Sequence, residues 1–344
     1  MNDYDALSEL IERIDELVKN DQYNLAIETI ENQIDNFGEK QILYDFLGKL
    51  NMLVKDPQKA ARFLIKSLEI QPENALTLEL LGDAYFAMEN WEETIISWHR
   101  SCEIDPQKFD VWKKLGELYY QIGEYAKATK ALQVFLDFEE DVDVYSLLAD
   151  IFRKMGNDIE SWNQLMKAEK LAPDNRKILV QIGQSYSDIG NYERAIDYFQ
   201  KVVSDEPENA SALFFLGKMH VSKKNYTQAI EFFSQIIEID PDNALAYYEI
   251  ADIYASQAKI DEAIKMYDEC LSKDPSIEEA SVAIASLHWV SEKYEKALTY
   301  LKEALRYNKT SIDALQMIGD IYEDMDDNEQ AEEYWSKVAE IKED

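Results

Sequence analysis

At 344 residues the chain is longer than one compact domain usually is, yet it has only ten glycines and seven prolines, as sparse as in an all-helical protein with short turns. Its 69 acidic residues against 35 basic ones leave a net charge of -34, a field that repels phosphate backbones and anionic lipid surfaces. No nucleic-acid or membrane partner is therefore expected, and no segment has the apolar length needed to cross a bilayer. The first residues, Met1-Asn2-Asp3-Tyr4-Asp5, lack the basic start and apolar run of a signal peptide, so a cytoplasmic setting is expected.

Along the chain, one small residue recurs with a fixed period. Gly48, Gly82, Gly116, Ala149, Gly183, Gly217, Ala251, Ala285 and Gly319 follow one another at steps of 34, with a single step of 33 at Ala149. Twelve residues after each comes a second, mostly Ala column: Ala60, Thr94, Ala128, Ser161, Ala195, Ala229, Ala263, Ala297 and Ala331. Four places later stands a large residue: Leu64, Trp98, Leu132, Leu165, Phe199, Phe233, Tyr267, Leu301 or Trp335. Pro72, Pro106, Pro173, Pro207, Pro241 and Pro275 close most of the units. Columns locked in one phase predict stacked supersecondary units rather than a single globular core.

Within a unit, Leu78-x-x-Leu81-Gly82-x-x-Tyr85 and Trp112-x-x-Leu115-Gly116-x-x-Tyr119 carry large apolar residues at three- and four-residue spacing, one face of an α-helix. The small residue in that face leaves room for a second helix, which carries the Ala column. Gly123, Gly156 and Gly190 suit the left-handed turn between the two helices. Asp56 before Pro57 reads as a cap and first helical residue, and Asn74, Asn175, Asn209 and Asn243 stand where the next unit needs an N-cap.

These residues resemble the tetratricopeptide repeat family, whose pattern is a large residue, Leu-Gly, Tyr, Ala, Phe and Pro at this spacing. The resemblance implies an all-α, right-handed superhelical solenoid of about ten antiparallel helix-turn-helix repeats. Residues 1–344 then form a single array, with repeats starting near Leu7, Gln41, Ala75, Phe109, Val142, Arg176, Ala210, Ala244, Glu278 and Ile312. In the first unit Arg13-Ile14 replaces the Leu-Gly pair, so its hairpin geometry is expected to differ. The short step near Glu139–Asp141, where no Pro ends the fourth unit, is expected to disturb the stacking locally.

Chemical motifs do not compete with this reading. His99, His220 and His288 lie far apart without partners at metal spacing, and His220 and His288 occupy a column that is Tyr elsewhere, which predicts packing. Cys102 and Cys270 are expected inside, unpaired. Asp324-Met325-Asp326-Asp327-Asn328 begins like a calcium loop, but Glu329 replaces its glycine and Trp335 its last ligand. No phosphate loop, nucleophile elbow or CxxC occurs, so neither enzyme activity nor a cofactor is expected.

Function is therefore sought on the wall that the first helices form. In the second and third units it carries Ile42, Phe46, Met52, Leu53, Leu76, Leu80 and Phe86. The fourth to sixth units bring Lys113, Lys114, Arg153, Lys154 and Lys177, with Gln181 and Gln184. In the seventh to ninth it turns aromatic and apolar, with Phe214, Phe215, Val221, Tyr248, Val282 and Trp289. Two readings of the basic cluster stand: a site for peptide or carboxylate, or ion pairs with Asp110, Glu117, Asp143 and Asp150. The aromatic stretch also has two, peptide binding or packing between units. The carboxylate clamp and the Asn ladder of specialised members of the family find no match on this wall. The expected function is a non-catalytic scaffold for peptide segments or partner helices; a self-assembling structural protein (a homo-oligomer) and a regulatory subunit of an enzyme are the alternatives.

Overall fold

The computed structural model describes residues 3–37 and 40–343; Met1 and Asn2, part of the opening stretch read above, lie outside them. The described residues form twenty α-helices and a short 3₁₀ turn, with no strand. The fold is the all-α helix-turn-helix repeat that the columns predict. The chain divides into two compact units, Met1–Ala172 and Pro173–Asp344.

The first unit holds five hairpins: α1 (Asp3–Lys19) with α2 (Tyr23–Glu31), α3 (Lys40–Leu53) with α4 (Pro57–Ile70), α5 (Ala75–Ala87) with α6 (Trp91–Ile104), α7 (Phe109–Gln121) with α8 (Tyr125–Leu136), and α9 (Val142–Lys154) with α10 (Asp158–Leu171). The second unit holds five more: α11 (Arg176–Asp188) with α12 (Tyr192–Asp205), α13 (Ala210–Ser222) with α14 (Tyr226–Ile239), α15 (Ala244–Ser256) with α16 (Ile260–Lys273), α17 (Glu278–Val290) with α18 (Tyr294–Tyr307), and α19 (Ile312–Asp324) with α20 (Asn328–Glu343).

The three columns account for the hairpin contact. A Cβ added to Gly48 or Gly116 would lie 2.5 Å from the side chain of Leu64 or Leu132, and one added to Gly217 would lie 2.6 Å from the ring of Phe233. From the second hairpin on, the small residue of the first helix is thus the seat for the large residue of its second helix. Phe199 and Phe233 are fully buried in that seat, each side chain contributing about 2–3 kcal/mol of transfer free energy. The Ala column is buried beside it. Where the column has Ser161, its hydroxyl donates to the Ala149 carbonyl at 2.7 Å, so the polar atom is not left unpaired.

Every hairpin turn uses one left-handed residue. Gly123, Gly156 and Gly190 have φ of 79°, 72° and 75°, and at the same place in the other hairpins stand Asp21, Lys55, Glu89, Lys224, Ala258, Glu292 and Asp326, also with positive φ. The amide after it reaches back five residues, as Glu124 to Tyr119 (2.8 Å) and Lys293 to His288 (2.8 Å), which is the Schellman closure of the first helix. The next residue already caps the second helix: Asp56, Asn90, Asn157 and Asn191 accept from the amides of Lys59, Glu93, Glu160 and Arg194. Asn74, Asn175, Asn209 and Asn243 cap their first helices as the sequence predicts, and Asp141 and Ser311 do the same for α9 and α19. Asp326 and Asp327 are the left-handed residue and the cap of the last hairpin, which gives the calcium-like stretch a structural role.

Proline ends the second helices through the residue before it. Gln71, Asp105, Ala172, Glu206, Asp240 and Asp274 all leave helical geometry, with ψ between 78° and 97°, because the following ring disfavours the α region. Two expected departures appear. In the first hairpin Ile14 and Ile30, both fully buried, take the places of the small and large residue, and α2 stops after nine residues, followed by the 3₁₀ turn Ile34–Asn36. At the short step α8 has twelve residues instead of the usual fourteen. Its connection to α9 lies inside the first unit, bridged by Phe135, Val144 and Leu148 in one buried cluster, whereas the chain divides later, at Ala172–Pro173.

Two stability predictions follow from this packing. Gly217→Leu should lower stability by about 3 kcal/mol or more, at the severe end of overpacking, while Gly217→Ala should cost only about 1 kcal/mol, since Ala251 faces Tyr267 at the same place. Urea unfolding of both variants checks the order, and equal midpoints for the two would refute the seat. Conversely, Glu292→Gly and Ala258→Gly should each stabilise by about 0.5–1 kcal/mol, because glycine accepts positive φ without steric cost. A fall in melting temperature for both would contradict this.

Candidate functional site

Four of the basic residues singled out in the sequence, Lys113, Lys114, Arg153 and Lys154, are brought to the first-helix wall of the first unit, and each has an acidic partner there. Lys113 on α7 bonds Asp141 at 2.7 Å and stands 5.3 Å from the Phe135 ring centroid. Lys114 donates to Glu79 (3.2 Å) and to both oxygens of Asp83 (2.9 and 3.1 Å) on α5. Glu79 also receives Lys108 at 2.8 Å. At the end of α9, Arg153 bonds Asp150 at 2.6 Å; Lys154 is 3.9 Å from the same carboxylate and 4.9 Å from the Tyr120 ring centroid. The Tyr120 hydroxyl donates to Asp150 as well, tying α7 to α9. Lys177 and Gln181, at the start of the second unit, are also engaged. The cluster is a set of separately neutralised groups rather than a free positive patch.

The carboxyl groups record these environments. Burial pushes Asp83 up, and Lys114 only partly offsets it. On Glu79 burial acts the same way, but the two ammonium groups outweigh it and hold the carboxyl below its usual range. Asp141 behaves like Glu79: burial opposes ionisation, while Lys113 and the Val144 amide hold the carboxyl low. Glu117 is raised, by burial first, with Lys113 opposing and Asp141 and Asp143 adding to it.

Between α5 and α7 a cavity of about 390 Å³ opens, lined by Asp83, Phe86, Trp98, Lys114, Glu117, Leu118 and Gln121. Trp98 comes from α6: it sits in the seat of Gly82 and reaches through the hairpin so that its indole N–H donates to Asp83 at 3.1 Å. Phe86 lies against it, ring centroids 5.6 Å apart and 29° between planes, and Phe86 remains 40% exposed. Sequence reasoning placed Phe86 and Lys114 on the wall but missed Trp98 and Asp83, because Trp98 belongs to a second helix and was read only as packing. The signal was the acid directly after the small residue: Tyr267 likewise donates to Asp252, and Trp335 to Asp320 at 3.0 Å.

In the second unit the candidate aromatics are half-buried and packed. Phe215 stacks on Phe199 of the preceding hairpin with centroids 5.1 Å apart and planes 10° from parallel. Phe214 meets Phe233 edge-on at 5.6 Å, and Tyr248 meets Tyr267 in the same way at 5.6 Å. Burial pushes the Tyr248 hydroxyl up to about 12, with Asp252 adding to it. These rings fill space between helices and show one side each. Trp289, on the same wall, donates to Asp324 at 2.7 Å.

The remaining polar candidates have packing roles. His220 and His288 are buried, facing the rings of Phe232 and Tyr300. Cys102 and Cys270 are buried free thiols; burial pushes Cys102 up to about 12, far from a reactive thiolate. No helix among the described residues is long and apolar enough to cross a membrane.

Comparison with known proteins agrees with this geometry. Family models described as tetratricopeptide repeat match residues 180–244, 220–283 and 312–344, and one described as TPR repeat matches 82–123. The tetratricopeptide repeat-containing protein trd-1 of Caenorhabditis elegans is 29% identical over 40% of this chain and 18% of its own length. A BBSome complex member BBS4 homolog of Drosophila melanogaster is 22% identical over 51% of this chain and 38% of its own. The chain thus spans well under half of either relative. Among solved structures, a tetratricopeptide repeat protein from Parabacteroides merdae superposes with a TM-score of 0.54 at 18% identity, over 68% of this chain and 93% of that one. The pilF protein of Pseudomonas aeruginosa gives 0.51 at 20% identity, over 62% and 98%. At such identities these two speak for the fold alone.

The Lys113–Asp141 pair carries a pH prediction. A native carboxyl held below its ordinary value of 3.8 contributes stability that is full above that value and is lost as pH falls through the lower native one. Asp141→Asn keeps the cap of α9 but removes the charge, so it should cost about 0.5–1 kcal/mol at pH 7 and progressively less as pH is taken below 3.8. Urea midpoints across that pH range check it; an equal deficit throughout would assign the cost to the cap.

Proposed function

The chain belongs to the tetratricopeptide repeat family, and from that premise we propose that it is a non-catalytic scaffold holding an extended peptide segment against its first-helix wall. The observation that carries this reading is the cavity between α5 and α7. It combines an exposed aromatic surface with a few convergent polar groups, the composition of a recognition pocket rather than of a solvated surface. Phe86 is exposed on the wall, as are Ile42 and Leu76 of the neighbouring stretch, and Trp98 is fixed beneath it. The half-buried rings of Phe214, Phe215 and Tyr248 would supply apolar contact in the second unit, and Lys113, Lys114, Arg153, Lys154 and Lys177 a polar frame. We read the ten hairpins as one array in sequence, since the period runs through Ala172–Pro173 without a linker.

Charge on this wall cannot be tested by simple reversal. Lys114→Glu would place a third carboxylate beside Glu79 and Asp83 and destabilise the hairpins themselves. Neutral changes separate the effects better. The full chain should capture peptides from a random dodecapeptide library, and captured peptides should lose at least about tenfold in affinity, about 1.4 kcal/mol, on Phe86→Ala or on Phe214→Ala with Tyr248→Ala. Circular dichroism should show unchanged helicity. If the chain captures no peptide above a scrambled control, or both sets of changes leave affinity intact, the wall is not a peptide site.

A further inference from the structure

We propose that the pocket between α5 and α7 takes a cationic side chain, an arginine or lysine presented by the bound peptide. The inference rests on the peptide-binding reading above and adds the chemistry of one subsite. Its volume, about 390 Å³, admits a long side chain. The aromatic surface inside is preset: the indole of Trp98 is held by its bond to Asp83, and Phe86 stacks on it with an exposed face. A guanidinium or ammonium group is drawn to such a face, and its aliphatic stem covers apolar surface that water would otherwise contact.

Electrostatics selects the sign. The ammonium of Lys114 already donates to Glu79 and to both oxygens of Asp83, so an incoming carboxylate finds no open donor there. Lys108 completes the group on Glu79, and the two lysines and two acids cancel. Lys113, the next cation along α7, is held by Asp141. Glu117 is left over. It lines the pocket at its solvent edge, and among the described residues it makes no hydrogen bond or ion pair. The residual charge of the pocket is therefore negative, in a chain whose net charge of -34 already favours approach of cationic segments. An anion would meet Glu117 unscreened by any free cation, whereas a cation would find Glu117, the amide oxygen of Gln121 and the exposed face of Phe86, with Trp98 buried beneath and its ring already met by Lys114 at 5.8 Å.

The test is selection from a random dodecapeptide library on the full chain, followed by fluorescence anisotropy of the selected peptides against variants. Arginine or lysine should be enriched at one register. Replacing that residue by alanine, or Glu117→Gln in the protein, should each weaken binding at least about fivefold, and the two changes together should cost little more than either alone. Glu117→Lys should shift the preference at that register to aspartate or glutamate, a gain that misfolding cannot imitate. Peptides that bind with acidic or apolar residues at that register, or equally well to Glu117→Gln, overturn the cationic subsite and leave the peptide scaffold standing. No captured peptide at all overturns the scaffold reading, and the subsite with it.

Discussion

The structure depends on one contact, repeated from the second hairpin on: a residue with little or no side chain on the first helix receives the large residue of its second helix. Because a Cβ on Gly48, Gly116, Gly183 or Gly217 would stand 2.5–2.7 Å from that side chain, the two helices approach as closely as backbone and ring allow. The other columns follow from this approach. The second helix needs Ala, Ser or Thr where it lies against the first. The turn must reverse direction within very few residues, which forces one left-handed residue even where the sequence supplies Glu292 or Lys224. Seven such residues without glycine each cost about 1 kcal/mol, and the repeated burial of large side chains offsets that cost.

A second consequence reaches the wall. A large residue seated over the small one points its tip toward the first-helix side. When that tip is polar it needs a partner, and the residue after the small one supplies it: Asp83 for Trp98, Asp252 for Tyr267, Asp320 for Trp335. Opposite Leu132, Phe199 and Phe233, whose tips are apolar, the same position holds Glu117, Gln184 and Lys218, which are free of that duty. Core and binding wall are thus not independent surfaces. The choice of a tryptophan at position 98 both fills a hairpin and furnishes the floor of a pocket.

Much of this was legible in the sequence, and the limits are physical. The hairpins, the Asn74, Asn175, Asn209 and Asn243 caps, the glycine turns and the atypical first hairpin could be read because they are set by residues within one period. The left-handed positions without glycine could not, since Glu89 or Ala258 carries no local signature of positive φ. On the wall, face assignment by helical geometry found Lys113, Lys114, Phe214 and Phe215, but it assigns faces one helix at a time. Trp98 enters from the other helix of the hairpin, so a one-helix reading leaves the pocket floor out.

The same limit explains the basic cluster. Counted along a single helix, Lys113 and Lys114 depart from the prevailing sign and suggest an anion site. In a repeat, however, the nearest neighbour of a wall residue lies nearly one period away. Lys114 meets Asp83, Lys108 meets Glu79, Lys113 meets Asp141 and Lys218 meets Glu249 at 2.8 Å. Charges on such a wall have meaning only as pairs across the period, and a solvent-accessible pair is worth about 0–1 kcal/mol. The paired residues therefore set the shape of the wall far more than its affinity. What remains to attract a ligand is the residue that the period leaves unmatched, beside whatever apolar surface the core pushes outward; in the first unit Glu117 and the Phe86–Trp98 stack meet both conditions at one place.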